Sequence, residues 1–228
     1  MNSFVLKIIA CVCMLCDHFS DAVLGSTTFL NFIGRIAFPV FCFQIVQGYI
    51  HTHDIKKYIL RLSLFALISQ VPFMFFYHVV FNSFAINVIF TLLFGLLAIL
   101  IYDKYNKFVG VCSFLLLATI AQLLHFDYGF FGVFIIFMFY LLRNKKTAMS
   151  IVFILAVIVK YLIPLIQNSI PISYLFLGNK YSILMHCTCL SLIPILFYNG
   201  KKGKDAKYLF YIFYPVHLLF LTLFRAFF

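Results

Sequence analysis

The stretch FVLKIIACVCMLCDHFS (residues 4–20) decides how the whole chain is read. It is apolar over most of its length, yet it carries Asp17 and His18 side by side where ionisable groups are expensive. An Asp at the centre of a membrane-spanning helix costs roughly 2.5–3.5 kcal/mol to insert, and less near the ends, so such residues normally face a bundle interior or a wet cavity. Lys7 lies 11 residues before His18. That many steps of about 100° return to nearly the same helix face, ~16 Å along the axis. A cation near one end of the helix and an imidazole near the other therefore share one stripe.

The rest of the chain is equally apolar. Of 228 residues, 65% are hydrophobic and 10% charged, with a mean hydropathy of +1.10. No soluble fold of this length hides that much apolar surface, so the solvent of the protein is lipid. Residues 4–20 do not read as a cleaved signal peptide, because spanning segments follow and no small-residue cleavage site is present. Apolar runs able to cross, or nearly cross, ~30 Å of hydrocarbon fall at 4–22, 29–50, 57–77, 86–102, 108–125, 129–142, 147–166, 181–198 and 208–227. The run at 129–142 is short for a full crossing and suits a tilted or re-entrant piece. The expected fold is an all-α polytopic transmembrane helix bundle of about nine spans, forming a single domain over 1–228. Pro39, Pro72, Pro164, Pro194 and Pro215 are expected to break or kink spans.

The formal charge of +11 comes from 17 Lys and Arg against 6 acidic residues. The basic residues cluster in HTHDIKK (51–57), DKYNK (103–107), RNKK (143–146) and NGKKGKDAK (199–207). These are alternate loops, so one orientation satisfies them all: amino terminus and basic loops cytoplasmic, carboxyl terminus outside, in the cell membrane. This explains the charge without a nucleic-acid partner. Arg35, Lys160, Lys180 and Arg225 are the exceptions to the pattern.

Every acidic residue is an aspartate: Asp17, Asp21, Asp54, Asp103, Asp127 and Asp205. The orientation gathers Asp17, His18, Arg35, His125, Asp127, Tyr128, His186 and His217 in the outer half of the bundle. His51 and His53 fall on a basic loop and read as solvated. The seven cysteines lie inside apolar runs and read as packing residues, the C-x-x-C at Cys13–Cys16 included. His18, His125, His186 and Asp127 show no local metal-ligand spacing, and no metal is expected.

Several blocks together resemble the TraX family, named for a protein that N-acetylates conjugative pilin. They are LKIIACVCMLCDHF (6–19), NFIGRIAFPVFCFQIVQGYIHT (31–52), KYILRLSLFALISQVPF (57–73), NVIFTLLFG (87–95), FDYGFFG (126–132), YNGKKG (198–203) and KYLFYIFYPVHLL (207–219). The Lys7-to-His18 spacing also resembles the basic-x10-His motif of a larger group of membrane-bound acyltransferases that includes the type 3 acyltransferases.

The resemblance implies transfer of an acyl group, acetyl foremost, from cytoplasmic acyl-CoA to an amine or hydroxyl of a membrane-associated or outside acceptor. Pilin-like peptides, other membrane peptides and cell-surface sugars are the candidate acceptors, with lipid as the surrounding partner and the oligomeric state open. His18 matches the catalytic histidine of the family and Lys7 the basic residue that supports the donor. Neutral His18 would act as general base, with Arg35 or a tyrosine at the oxyanion. Arg35 needs a counter-charge that Asp17 or Asp127 would supply, Asp17 being free to pair with either His18 or Arg35, while Asp127 or a backbone carbonyl sets the His18 tautomer. Lys57 and Arg61 join Lys7 and Arg35 as candidate donor-binding residues. Gln47 and Gln70 stand where the family pattern has Glu. A proton-coupled transporter or flippase using the Asp, His and Arg set is the competing reading, disfavoured by the lack of an inverted repeat.

Overall fold

A computed structural model of the chain describes residues 1–25, 28–176, 178–204 and 207–227; Asp205 lies outside them. Helices occupy each of the nine apolar runs. The first run is α1 (Ser3–Phe19), extended by a π-helical turn at Ser20–Leu24, and the second is split into α2 (Phe29–Gly34) and α3 (Ala37–His51). Then come α4 (Ile55–Phe81), α5 (Val88–Lys104), α6 (Lys107–Leu123), α7 (Gly129–Leu141) and α8 (Lys146–Gln167). After a 3-10 turn at Ile172–Leu175, α9 (Lys180–Leu190), α10 (Leu192–Leu196) and α11 (Lys207–Phe227) complete the bundle. Among the described residues there is no strand, only a single bridge between Ile86 and Phe126.

Five of the helical units, spanning 3–24, 29–51, 55–81, 146–167 and 208–227, are long and apolar enough to cross a membrane. Their outward faces carry Leu67, Val71, Leu155, Val159 and Phe220, each more than half exposed. Apolar patches of this extent are not tolerated in water, and the chain is a membrane protein.

The short run at 129–142 has a different explanation from tilt. Helix α7 has 13 residues, about 20 Å, and Val133, Ile135, Ile136, Phe137 and Phe139 on it are almost wholly buried. It is the core of the bundle: Phe137 stacks on Phe114 of α6 at 4.5 Å and Phe139 meets Phe43 of α3 edge-on. Protein surrounds it, so its length need not match the bilayer.

The prolines divide into two groups. Pro39 sits in the first turn of α3, where a missing N–H costs nothing, just after the break at Arg35–Ile36. Pro194 follows the break at Ser191 in the same way. Helices α4, α8 and α11 instead run unbroken through Pro72, Pro164 and Pro215.

Helices α1 and α11 lie side by side in the same sense. The start of α1 is tied to the loop that precedes α11 by backbone bonds from Ser3 and Phe4 to the carbonyls of Lys201 and Lys202, at 2.8 and 3.1 Å. Phe4 packs on Phe210, and further along His18 meets His217. This shared sense places the start of α1 with the basic 199–204 loop and His18 toward the opposite end.

Candidate functional site

A cavity of about 700 Å³ opens at the basic-loop end, between the α3–α4 turn, the start of α11 and the 198–204 segment. That is within the usual range for small-molecule and cofactor sites. Lys7, Lys57, Arg61, Lys202 and Lys204 ring it, with His51 and His53, while Met14, Ile89, Leu92 and Tyr214 line its inner end. Three of the four expected donor-binding residues are thus gathered in one space. Arg35 is not in its wall.

These cations are held in different ways. Asp54 caps α4 by accepting from the Lys57 amide at 3.0 Å, and Lys57 Nζ pairs with the same carboxylate at 3.2 Å, both in solvent. The Lys57 backbone and side-chain bonds hold the Asp54 carboxyl below the usual carboxylate range. Lys7 Nζ lies 5.5 Å from the centre of the Phe210 ring. Arg61 reaches Tyr211, but its buried Nε has no hydrogen-bond partner. A guanidinium with a spare donor in a cavity wall is suited to a phosphate or carboxylate oxygen.

His18 stands one turn beyond Met14 on the stripe that Lys7 begins, just past the inner end of the cavity. Its ring stacks on His217 with centroids 5.1 Å apart and packs against Phe76 at the same distance. His18 Nδ1 and His217 Nε2 are 2.8 Å apart, and His217 Nδ1 is 2.7 Å from the Phe213 carbonyl. A carbonyl only accepts, so His217 carries its proton on Nδ1 and leaves Nε2 bare. His18 Nδ1–H then donates to that bare nitrogen. The consequence is a neutral His18 whose Nε2 lone pair is available as a base. Neither Asp127 nor a direct backbone carbonyl sets this tautomer, as the sequence had suggested; His217 does, through Phe213. The signal was an imidazole in the apolar run FYPVHLLF, but no spacing along the chain pairs it with His18.

His217 also lies in the wall of an apolar groove on the outside of the bundle, formed by Leu15, Cys16 and Phe19 of α1 and Phe213, Val216 and Phe220 of α11.

Asp17 points away from His18, as adjacent helical residues must. Arg35 Nη2 meets both its carboxylate oxygens at 2.7 and 2.8 Å, and Asn31 Nδ2 donates to Oδ1 at 3.0 Å. Asn31 also bonds Asp21 at 2.9 Å and accepts from Ser20 Oγ at 2.7 Å. The break at Arg35–Ile36 and the π-helical turn after Phe19 bring these groups together. Gly34 permits the approach, since a Cβ there would overlap the Asp17 side chain. Asp17 and Arg35 are thus bonded to each other and to Asn31, on the helix face next to that of His18.

Asp127 lies on the α6–α7 turn, where Lys160 and Arg35 are the cations acting on it. Lys160, a lone lysine inside an apolar run, sits over the Tyr128 and Phe131 rings at 4.3 and 4.5 Å, with Tyr128 stacked on Phe38. Sequence reading marked Lys160 only as an exception to the loop-charge pattern. His186 donates through Nδ1 to the Ser182 carbonyl at 2.7 Å, and His125 is exposed on the α6–α7 turn. Among the described residues no three His, Cys, Asp or Glu side chains form a metal-binding group.

Gln70 and Gln47 have separate explanations. Gln70 Nε2 donates to the Ala85 carbonyl at 3.0 Å while its Oε1 accepts from the Asn87 amide and side chain at 3.0 and 2.7 Å. This clamp on the α4–α5 linker needs a donor that a glutamate lacks. Gln47 lines the cavity.

The chain matches the TraX protein family over residues 3–225. It belongs to the TraX family. This TraX family member is 29% identical over 246 residues to the probable fimbrial assembly protein FimC, serogroup H1, of Dichelobacter nodosus, covering 96% of this chain and 94% of that protein. It is also 27% identical over 160 residues to an uncharacterized protein of Rickettsia prowazekii (strain Madrid E), covering 67% of this chain and 60% of that one. No solved structure matches.

Proposed function

We propose that this TraX family member is an integral membrane acyltransferase, acting foremost as an N-acetyltransferase. Acyl-CoA enters from the cytoplasm and the acceptor amine or hydroxyl from the membrane or beyond. The observation that carries the reading is the cavity itself. It runs from five basic side chains to Met14 and Tyr214 and ends one turn short of a histidine held as a neutral base. A phosphate-rich nucleotide suits the basic mouth, and a pantetheine arm suits the apolar inner end at Met14, Ile89 and Leu92. A peptide or pilin-like acceptor is consistent with the Dichelobacter relative being a probable fimbrial assembly protein.

On this reading the chain joins the broader membrane-bound acyltransferases, lies in the cytoplasmic membrane and crosses it nine times with the basic loops inside. A reporter fused after residue 146 is expected to read cytoplasmic, and one fused after residue 228 outside. Both on one side would remove a crossing and move His18 away from the outer end.

The activity is tested by incubating detergent-purified protein with acetyl-CoA, with and without a peptide bearing a free amino terminus. CoA and acetyl-peptide are then quantified by mass spectrometry. Acceptor-dependent release of both is expected. Proton flux in proteoliposomes without CoA release would favour the transporter reading instead.

The donor path gives a sharper test. Lys7→Ala removes a hydrogen bond to a charged group, worth about 1.5–3 kcal/mol. The apparent constant for acyl-CoA should rise roughly 10- to 100-fold by that measure, and Lys7→Arg should recover part of it. A change confined to the acceptor constant would invert the site.

A further inference from the structure

Tyr214 lies on α11, one turn before His217, with the two rings 5.7 Å apart. It is 5% exposed, lines the inner end of the cavity, and its hydroxyl has no hydrogen-bond partner. A buried hydroxyl without a partner destabilises the fold, so phenylalanine would serve packing better at this position. The 17-residue helix α5 begins beside it. Asn87 Oδ1 caps the Ile89 amide at 3.0 Å, whereas the Val88 amide lies against the Tyr214 hydroxyl, short of hydrogen-bond geometry. Both Val88 and Ile89 line the cavity. The Tyr214 O–H and the first N–H groups of α5, at the positive end of that helix, therefore meet in the wall at the inner end of the cavity, next to the histidine pair.

We propose that the Tyr214 hydroxyl, backed by the α5 amino terminus at Val88, binds the carbonyl oxygen of the acyl thioester and stabilises the oxyanion formed during transfer. The inference rests on the acyltransferase reading and makes Tyr214 a catalytic residue of it. In the step concerned, the acceptor nitrogen pair attacks the thioester carbon while His18 Nε2 takes the acceptor proton. The carbonyl π pair moves onto oxygen, where Tyr214 and Val88 donate to it. Collapse of the intermediate restores the C=O bond and breaks the C–S bond. The CoA thiolate takes the proton from His18, leaving the acylated acceptor and free CoA.

Two measurements test the assignment on Tyr214→Phe, which deletes only the hydroxyl. The first is turnover of acetyl-CoA with an amine-bearing peptide, compared with thermal stability. Loss of one oxyanion donor typically lowers kcat about 10²- to 10³-fold, with acetyl-CoA binding changed less than about 3-fold and the midpoint of unfolding unchanged or raised. A purely structural tyrosine would instead lower the unfolding midpoint.

The second needs no turnover. A ketone analogue of acetyl-CoA, labelled with ¹³C at the carbonyl, is bound to wild type and variant, and its carbonyl stretch is read by infrared difference spectroscopy. A shift to lower frequency in wild type that is lost in Tyr214→Phe supports the proposal. A shift that persists in the variant, or turnover within about 3-fold of wild type, overturns the assignment and leaves the acyltransferase reading standing. Failure of the analogue to bind wild type overturns that reading and this assignment with it.

Discussion

His18→Ala is expected to lower acyl transfer about 10²- to 10⁴-fold, the range a positioned general base contributes, while expression and monodispersity persist. The reason is the proton arrangement. With His217 Nδ1–H committed to the Phe213 carbonyl, the His18 Nδ1–H is committed to His217 Nε2, and Nε2 of His18 is the nitrogen left bare. His217→Ala should fall between wild type and His18→Ala, because the base survives but its tautomer is no longer imposed. His217→Gln, which retains an acceptor for His18 Nδ1–H, should recover part of the loss. Acyl-CoA-dependent kcat, measured beside donor binding, checks the series: donor affinity should move little in all three variants. Near-normal turnover of His18→Ala would move the base to another imidazole.

Arg35→Met is expected to destabilise the detergent-solubilised protein by about 3–5 kcal/mol, the range for removing one partner of a buried ion pair. Asp17 would keep only Asn31 as a side-chain donor, in a position where its side chain is 13% exposed. The double variant Asp17→Asn with Arg35→Met should regain most of that loss, since replacing both members of such a pair is often close to neutral. Thermal unfolding of the two variants reads this directly. An Arg35→Met protein as stable as wild type, yet unable to turn over, would show instead that Arg35 meets substrate.

The Asp17–Arg35 pairing shows what linear reading can reach. Adjacent helical residues point about 100° apart, so Asp17 and His18 cannot both face one partner, and a cation inside an apolar run needs a nearby carboxylate. Those two rules narrow the partner of Arg35 to Asp17 or Asp127, and the packed bundle selects Asp17. The Lys7–Met14–His18 stripe is legible for the same reason: helical periodicity converts spacing into a shared face. The apolar runs define the helices themselves because hydrocarbon leaves a backbone few alternatives.

What no local rule supplies is which helices become neighbours. That α1 and α11 lie side by side depends on packing between segments some 200 residues apart, and only this puts His217 on His18. Burial of the 13-residue α7 follows likewise from surrounding helices, since a short apolar run looks the same whether lipid or protein covers it. Tyr214 was one of many aromatics in the sequence; its unpaired hydroxyl exists only where α11 meets the start of α5. Periodicity acts within one helix and so can be read from the chain, whereas the neighbours of a side chain are a property of the packed bundle alone.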